Sequence, residues 1–122
     1  MRVFGTKWFG RFARKEGIGN QALLEAIQRA EEGKIDADLG GNIIKQRVAR
    51  KGQGRSSGYR MLIAFRTKTR AIFVYGFPKS NRENISTDEL DDLKDLAQAL
   101  LTFDDGEIAE LIKNGKLQEV LP

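Results

Sequence analysis

The chain has 122 residues, of which 40% are hydrophobic and 31% are charged, and it contains neither histidine nor cysteine. This length and composition predict one globular domain over residues 1–122 and argue against a disordered or two-domain chain. The missing histidine and cysteine exclude disulfides, thiolate or imidazole catalysis and the commonest zinc ligands.

Two amphipathic helices are predicted near the N-terminus. A short strand over residues 1–4 precedes a helix that Thr6 caps, and an aromatic stripe on that helix is expected in the core. Asn20 is predicted to cap a second helix, which Gly33 ends. The aromatic stripe consists of Trp8, Phe9 and Phe12.

Antiparallel strands are predicted next, because apolar and polar residues alternate and turn residues separate the segments. Tyr59 and the apolar residues at every second position after it face the core, which places Arg60 on the opposite, exposed face. The same alternation places Lys45 and Arg47 together on an exposed face of the preceding strand. The predicted strands cover residues 35–39, 42–49, 58–66 and 71–77.

Acidic helices are predicted in the C-terminal part, over residues 86–115. Ser86 begins a capping-box pattern, Asp104 begins a second capped helix, and a short loose tail follows Gly115. The predicted fold is therefore α+β, with two N-terminal helices packed on one face of a mainly antiparallel sheet, followed by C-terminal helices.

Charge divides the chain into two parts. Residues 1–82 carry 18 basic and 6 acidic side chains, whereas residues 83–122 carry 3 basic and 11 acidic ones. Residues 42–82 hold 11 basic residues and no acidic one, which favours a nucleic-acid partner over merely solvated strands. Within that run, Arg66, Lys68 and Arg70 are expected to form a solvated turn.

Membrane association and metal binding are both disfavoured by the sequence. The chain lacks an apolar run of roughly 18 residues and a signal-peptide pattern, so we expect a cytoplasmic protein without a membrane partner. One set of carboxylates could suggest metal ligands, but the solvated face of a capped helix explains this set better than a metal site does. We therefore expect no metal and no cofactor. That set is Asp88, Asp91, Asp92 and Asp95.

Residues 55–60 read R-S-S-G-Y-R, which closely resembles a stretch of the RelE ribonucleases. The order of elements, to about residue 101, is similar to the RelE/ParE toxin fold, and residues 7–9, 36–41 and 75–85 resemble its HigB-like branch. This resemblance implies the toxin of a type II toxin–antitoxin system. It implies a metal-independent endoribonuclease that cuts messenger RNA on the ribosome and is neutralised by a cognate antitoxin, a helix-turn-helix protein encoded next door.

The resemblance also assigns candidate catalytic residues. Arg60 aligns with the arginine that stabilises the transition-state phosphate, and Lys45 and Arg47 match two basic residues of the preceding strand. Lys79 and Arg82 both lie near the later catalytic arginine, and the choice between them stays open. A tyrosine that assists some members has no counterpart here, so the general acid and base are not assigned. The basic loop adds three candidate RNA-binding residues, Arg50, Lys51 and Arg55.

Two other functions remain compatible with the same sequence. A ParE-like inhibitor of DNA gyrase would share the fold, and a non-catalytic RNA- or DNA-binding module would share the charge. The basic strand positions and the R-S-S-G-Y-R stretch favour the nuclease. We expect the RNA-binding surface to lie away from the acidic C-terminal helices.

Overall fold

The computed structural model describes residues 1–50, 58–79 and 85–122. Over these ranges the chain forms a six-stranded sheet with helices on both faces. None of the helices in these ranges is long and apolar enough to cross a membrane. The strands are β1 (Arg2–Thr6), β2 (Ala37–Gly40), β3 (Ile43–Val48), β4 (Tyr59–Arg66), β5 (Arg70–Pro78) and β6 (Leu117–Glu119). The helices are α1 (Lys7–Glu16), α2 (Asn20–Glu31), α3 (Thr87–Thr102) and α4 (Asp105–Lys113).

The strands follow the order β2-β3-β4-β5-β1-β6 across the sheet. From β2 to β5, each strand pairs antiparallel with the next one along the chain, as the alternation patterns predict. β1 lies between β5 and β6 and runs parallel to β5. The prediction of an α+β fold with a mainly antiparallel sheet is therefore confirmed.

The first core lies between one face of the sheet and the helices α1 and α2. Phe9, Leu23 and Ile27 from the two helices are buried in one cluster with Met61 and Ile63 of β4. Full burial of an apolar side chain of this size contributes roughly 1.5–3 kcal/mol. The placement of both N-terminal helices on one face is confirmed.

The start of α1 agrees with the sequence only in part. Thr6 caps the helix, because its Oγ1 accepts the backbone N–H of Phe9 at 3.1 Å. Trp8 was expected in the core but is 47% exposed, and its ring stacks on Tyr75 with 4.6 Å between centroids. The reason is that β1 pairs with β5 only as far as Phe73, so Trp8 covers the strand edge beyond that point.

The prediction that Asn20 caps α2 is wrong. Asn20 is already the first helical residue, and Gly19 occupies the cap position without a side-chain hydrogen bond. The Asn20 side chain instead donates from Nδ2 to the carbonyl oxygen of Leu121 at 3.0 Å. Its polar group therefore ties the start of α2 to the C-terminal segment.

The second core covers the other face of the sheet with α3 and α4. Capping boxes at Ser86 and Asp104 begin these helices, as predicted. Leu100 and Leu101 of α3 and Ile108 of α4 are buried in the cluster that also holds Leu62, Ala64 and Ile72 of the sheet. Each face of the central strands is thus covered by a helix pair.

Two arginines expected in a solvated turn instead bind the end of α3. Arg66 Nη1 donates to the carbonyl oxygen of Leu101 at 3.2 Å, and Arg70 Nη1 donates to those of Leu100 and Phe103 at 2.8 and 2.7 Å. The last carbonyl groups of a helix have no partner within the helix and carry a partial negative charge. The two guanidinium groups satisfy them. Arg66 and Lys68 are nevertheless exposed, as predicted, and the prediction of a solvated side chain is corrected only for Arg70, which is half-buried.

The C-terminal tail is not loose as predicted, because it forms β6 beside β1. Arg2 donates from Nε and Nη2 to the two carboxylate oxygens of Glu119, at 2.9 and 3.0 Å. These hydrogen bonds lower the pKa of the Glu119 carboxyl below its ordinary value. A paired strand and a two-point ion pair therefore hold the last residues against the N-terminal strand.

Candidate active site

The pairing of β3 with β4 brings three predicted catalytic residues onto one face of the sheet. Arg47 lies directly opposite Arg60, and Lys45 lies opposite Leu62. Residues two apart on a strand share a face, so Lys45 and Arg47 point to the same side. The sequence prediction that these three residues share a surface is consistent with this register.

Arg47 and Arg60 form the closely spaced type of antiparallel pair. The backbone N–H of Arg47 donates to Asp36 Oδ2 at 2.7 Å, and its carbonyl oxygen accepts from Arg29 Nη2. Both polar groups of the Arg47 backbone therefore point away from β4. Such a non-hydrogen-bonded pair has Cα atoms about 4.5 Å apart and brings its side chains closest together. The side chains of Arg47 and Arg60 therefore leave the sheet from neighbouring positions on the same face.

Arg60 is buried, contrary to the prediction of an exposed side chain. It is 6% exposed, whereas Lys45 is half-buried and Arg47 is exposed. Alternation along a strand defines the face on which a residue lies but not how deeply it is covered. β4 is an inner strand, and Arg60 has Arg47 on one side and Phe77 on the other. The guanidinium Nη1 lies 3.5 Å from the carbonyl oxygen of Tyr59.

Lys79 lies at the same end of the sheet as Arg60. Its backbone N–H donates to the carbonyl oxygen of Gly58 at 3.0 Å, which continues the pairing of β4 with β5 by one position. The residue is exposed. The other candidates, Lys51, Arg55 and Arg82, lie outside the described residues.

Arg50 and Tyr59 lie at the same end of the sheet as Arg60 but on its opposite face. The Arg50 guanidinium lies 5.6 Å from the centre of the Tyr59 ring, and the Tyr59 hydroxyl donates to the carbonyl oxygen of Glu16 at 3.4 Å. Burial raises the pKa of the Tyr59 phenol above its ordinary value. Tyr59 is therefore a protonated core residue, as predicted, and is unsuited to act as a base on the face that holds Arg60.

The acidic helix α3 lies on the same face of the sheet as the candidate catalytic residues. Leu100 and Leu101 of α3 pack in one cluster with Leu62, the residue opposite Lys45. The expectation that the basic surface lies away from the C-terminal helices is therefore wrong. Leu62 and Ala64 lie on the same face of β4 as Arg60. Because their side chains are apolar, a helix has to pack on this face to bury them.

Comparison with known families identifies the chain. The sequence model described as "RelE toxin of RelE / RelB toxin-antitoxin system" matches residues 1–120. The chain belongs to the RelE toxin family. It is therefore the toxin component of a toxin–antitoxin system, in which the toxin works with a cognate antitoxin. Comparison with curated proteins and with solved structures returned no match.

The chemistry available to this RelE toxin is electrostatic. Arginine carries its charge at any physiological pH, and a guanidinium group donates up to five hydrogen bonds in a planar arrangement suited to phosphate. Toxins of the RelE family are generally endoribonucleases. Within the described residues, no group of three or more carboxylates is placed to hold a metal ion.

Sequence reasoning missed two residues of the RelE toxin that contact this site. Arg29 of α2 and Asp36, which precedes β2, both bind the backbone of Arg47. They also form an ion pair, with 3.4 Å between Arg29 Nη1 and Asp36 Oδ2. Arg29 belongs to no motif, Asp36 belongs only to the stretch 36–41 that resembles the HigB-like branch, and only the folded chain brings the two together. A basic residue on the polar side of a helix gives no signal of such a role.

Proposed function

We propose that the protein is a metal-independent endoribonuclease that cleaves messenger RNA on the ribosome. The observation that carries this proposal is the directly opposed pair Arg47 and Arg60, with Lys45 beside them on the same face. Guanidinium groups from two neighbouring strand positions can both donate hydrogen bonds to a phosphate group, which makes the position suited to an RNA backbone.

The proposed reaction uses the ribose 2′-hydroxyl of the RNA as nucleophile. A bond forms between the 2′-oxygen and the adjacent phosphorus while the bond to the 5′-oxygen breaks, which gives a 2′,3′-cyclic phosphate and a 5′-hydroxyl end. Negative charge develops on the phosphate oxygens, and Arg60 and Arg47 stabilise it. A lysine ammonium group ordinarily carries its proton at neutral pH, so Lys45 is suited to protonate the departing 5′-oxygen.

The proton of the 2′-hydroxyl leaves to solvent or to a base that is not assigned. Lys79 is exposed at the end of the sheet that holds Arg60. We assign Lys79 and Arg82 as the two candidates for the catalytic arginine that the family carries later in its sequence. Arg50, Lys51 and Arg55 are assigned to binding the RNA backbone. Because neutralised phosphates release counterions, affinity for RNA should fall steeply as salt concentration rises.

The partner that suppresses this activity is a cognate antitoxin, and we assign it a helix-turn-helix fold. The stretches that resemble the HigB-like branch, which include Trp8 and Tyr75, support placing the protein in that branch. Messenger RNA on the ribosome as substrate also places the protein in the cytoplasm. The domain is proposed to span residues 1–122 as one unit.

Expression of the chain alone is expected to stop bacterial growth by stopping protein synthesis. The measurement is pulse labelling with radioactive methionine and thymidine after induction, with and without the neighbouring open reading frame. We expect methionine incorporation to fall within minutes while thymidine incorporation continues. Co-expression of the neighbour should restore both growth and methionine incorporation.

Two results would contradict this account of the toxin. If thymidine incorporation falls first, the protein acts on DNA metabolism, as a gyrase inhibitor would. If soluble folded protein accumulates without any effect on growth, it is not a toxin. The control is induction of Arg60→Ala, whose soluble level is measured beside that of the wild type and which should leave methionine incorporation close to that of uninduced cells.

A further inference from the structure

The outer edge of β3 changes its hydrogen-bond partner at Arg47. Lys45 still pairs with Ala37 of β2, but β2 begins at Ala37, so no residue of that strand lies opposite Arg47. An exposed strand edge leaves N–H and C=O groups for water or other partners. Here both backbone groups of Arg47 are bound by side chains instead.

The two side chains come from different elements and bind each other. Asp36 Oδ2 accepts the Arg47 N–H at 2.7 Å and lies 3.4 Å from Arg29 Nη1, while Arg29 Nη2 donates to the Arg47 carbonyl oxygen. Only 19% of the Arg29 side chain and 26% of the Asp36 side chain are exposed. An ion pair sheltered in this way is screened less by solvent than a surface pair.

A buried glutamine holds Asp36 in place. Gln46 is 0% exposed, and its Oε1 accepts the backbone N–H of Asp36 at 2.8 Å. Its Nε2 donates to the carbonyl oxygens of Ala26 in α2 and Lys34, at 3.0 and 3.2 Å. Buried polar groups satisfied in this way specify a single arrangement. The segment from α2 to β2 is thus fixed against β3 by the residue next to Arg47.

We propose that Arg29 and Asp36 are positioning residues that hold Arg47 opposite Arg60. The proposal rests on the function proposed above. By binding both polar groups of the Arg47 backbone, the two side chains fix the twist and position of β3 where Arg47 faces Arg60. A shift of about 1 Å in a catalytic group can slow a reaction by roughly 100-fold. Asp36 and Arg29 thus affect the reaction without touching the RNA.

The test combines enzyme kinetics with amide hydrogen exchange. Asp36→Ala should lower kcat for cleavage of ribosome-bound messenger RNA by about 10- to 100-fold and leave KM nearly unchanged, because positioning acts on the chemical step. The backbone amide of Arg47 should lose its protection from exchange, while the amides of β4 keep theirs. Arg29→Ala should give the same kinetic pattern.

A double-mutant cycle separates positioning from general loss of structure. If Asp36 acts through Arg47, Asp36→Ala should cause no further loss of cleavage in an Arg47→Ala background. A merely structural role would lower activity equally in both backgrounds. Glu32→Ala is the matched control, since its ion pair with Lys34, 3.4 Å long and well exposed, lies in the same segment without touching Arg47. Its kcat should equal that of the wild type.

The outcomes distinguish the two proposals. If the wild type cleaves RNA and the losses from Asp36→Ala and Arg47→Ala simply multiply, the positioning role is wrong and the proposed function stands. The positioning role is also wrong if the Arg47 amide keeps its protection in Asp36→Ala. If the wild type does not cleave RNA at all, the proposed function is wrong. Arg29 and Asp36 then have no catalytic role, even if hydrogen exchange shows that they hold the backbone of Arg47.

Discussion

Replacing Arg60 with alanine is expected to slow cleavage of ribosome-bound messenger RNA by about 100- to 1,000-fold, the usual effect of removing one preorganised group that stabilises developing charge. Arg60 lies directly opposite Arg47, on the inner strand β4, and the proposed reaction uses both guanidinium groups to stabilise the phosphate. The measurement is the rate at which new 5′ ends appear in a transcript loaded on purified ribosomes.

Because Arg60 is only 6% exposed, its replacement also affects stability. Removing one partner of a buried polar contact typically costs roughly 1–3 kcal/mol. Thermal unfolding of each variant should therefore accompany the kinetics, with rates measured well below the melting temperature. Arg66→Ala is the matched control, since Arg66 lies on the same strand and face but binds the end of α3. Undiminished cleavage by folded Arg60→Ala would show that this arginine is not catalytic.

Replacing Gly58 with alanine is expected to destabilise the protein by about 3 kcal/mol, the upper part of the range for overpacked positions. A Cβ atom at Gly58 would lie 2.2 Å from the carbonyl oxygen of Val48 and 2.7 Å from the backbone nitrogen of Arg50. Both are backbone atoms, which cannot move aside as a flexible side chain can. Glycine at this position of the R-S-S-G-Y-R stretch thus permits β3 and β4 to approach each other closely.

Urea unfolding of Gly58→Ala measures this effect directly. Gly19→Ala is the control for close approach, because nothing lies within 4 Å of a Cβ atom at Gly19. Its loss of stability should not exceed about 1 kcal/mol, the usual cost of an unfavourable residue at a helix N-cap. Cleavage should also fall in Gly58→Ala, since the strands separate beside Arg60. A variant as stable as the wild type would contradict the close approach of the two backbones.

Local patterns in the sequence were sufficient to predict much of this fold. Alternation from Tyr59 onward correctly assigned the two faces of β4, because a strand repeats every two residues whatever surrounds it. The capping boxes at Ser86 and Asp104 correctly marked the starts of α3 and α4. These signals depend on neighbours within a few residues, so the chain alone carries them.

Features that depend on distant parts of the chain could not be predicted. The tail after Gly115 becomes a strand only because β1 lies beside it, and a three-residue strand has too little alternation to be recognised. The burial of Arg60 and the binding of Arg66 and Arg70 to the end of α3 are also set by tertiary packing. A positive charge suggests solvent exposure, which held for Arg47 and Arg66 but failed for Arg60, which is buried, and for Arg70, which is half-buried.

The central claim is tested most directly by cleavage of messenger RNA on ribosomes with toxin that has been treated with EDTA and dialysed free of metal. Metal-independent attack by the 2′-hydroxyl predicts that new 5′ ends appear as fast as with untreated toxin, that they carry a 5′-hydroxyl group, and that the fragments upstream end in a 2′,3′-cyclic phosphate. The absence of new ends, ends that carry a 5′-phosphate, or cleavage that returns only when a metal ion is restored to the toxin would contradict it.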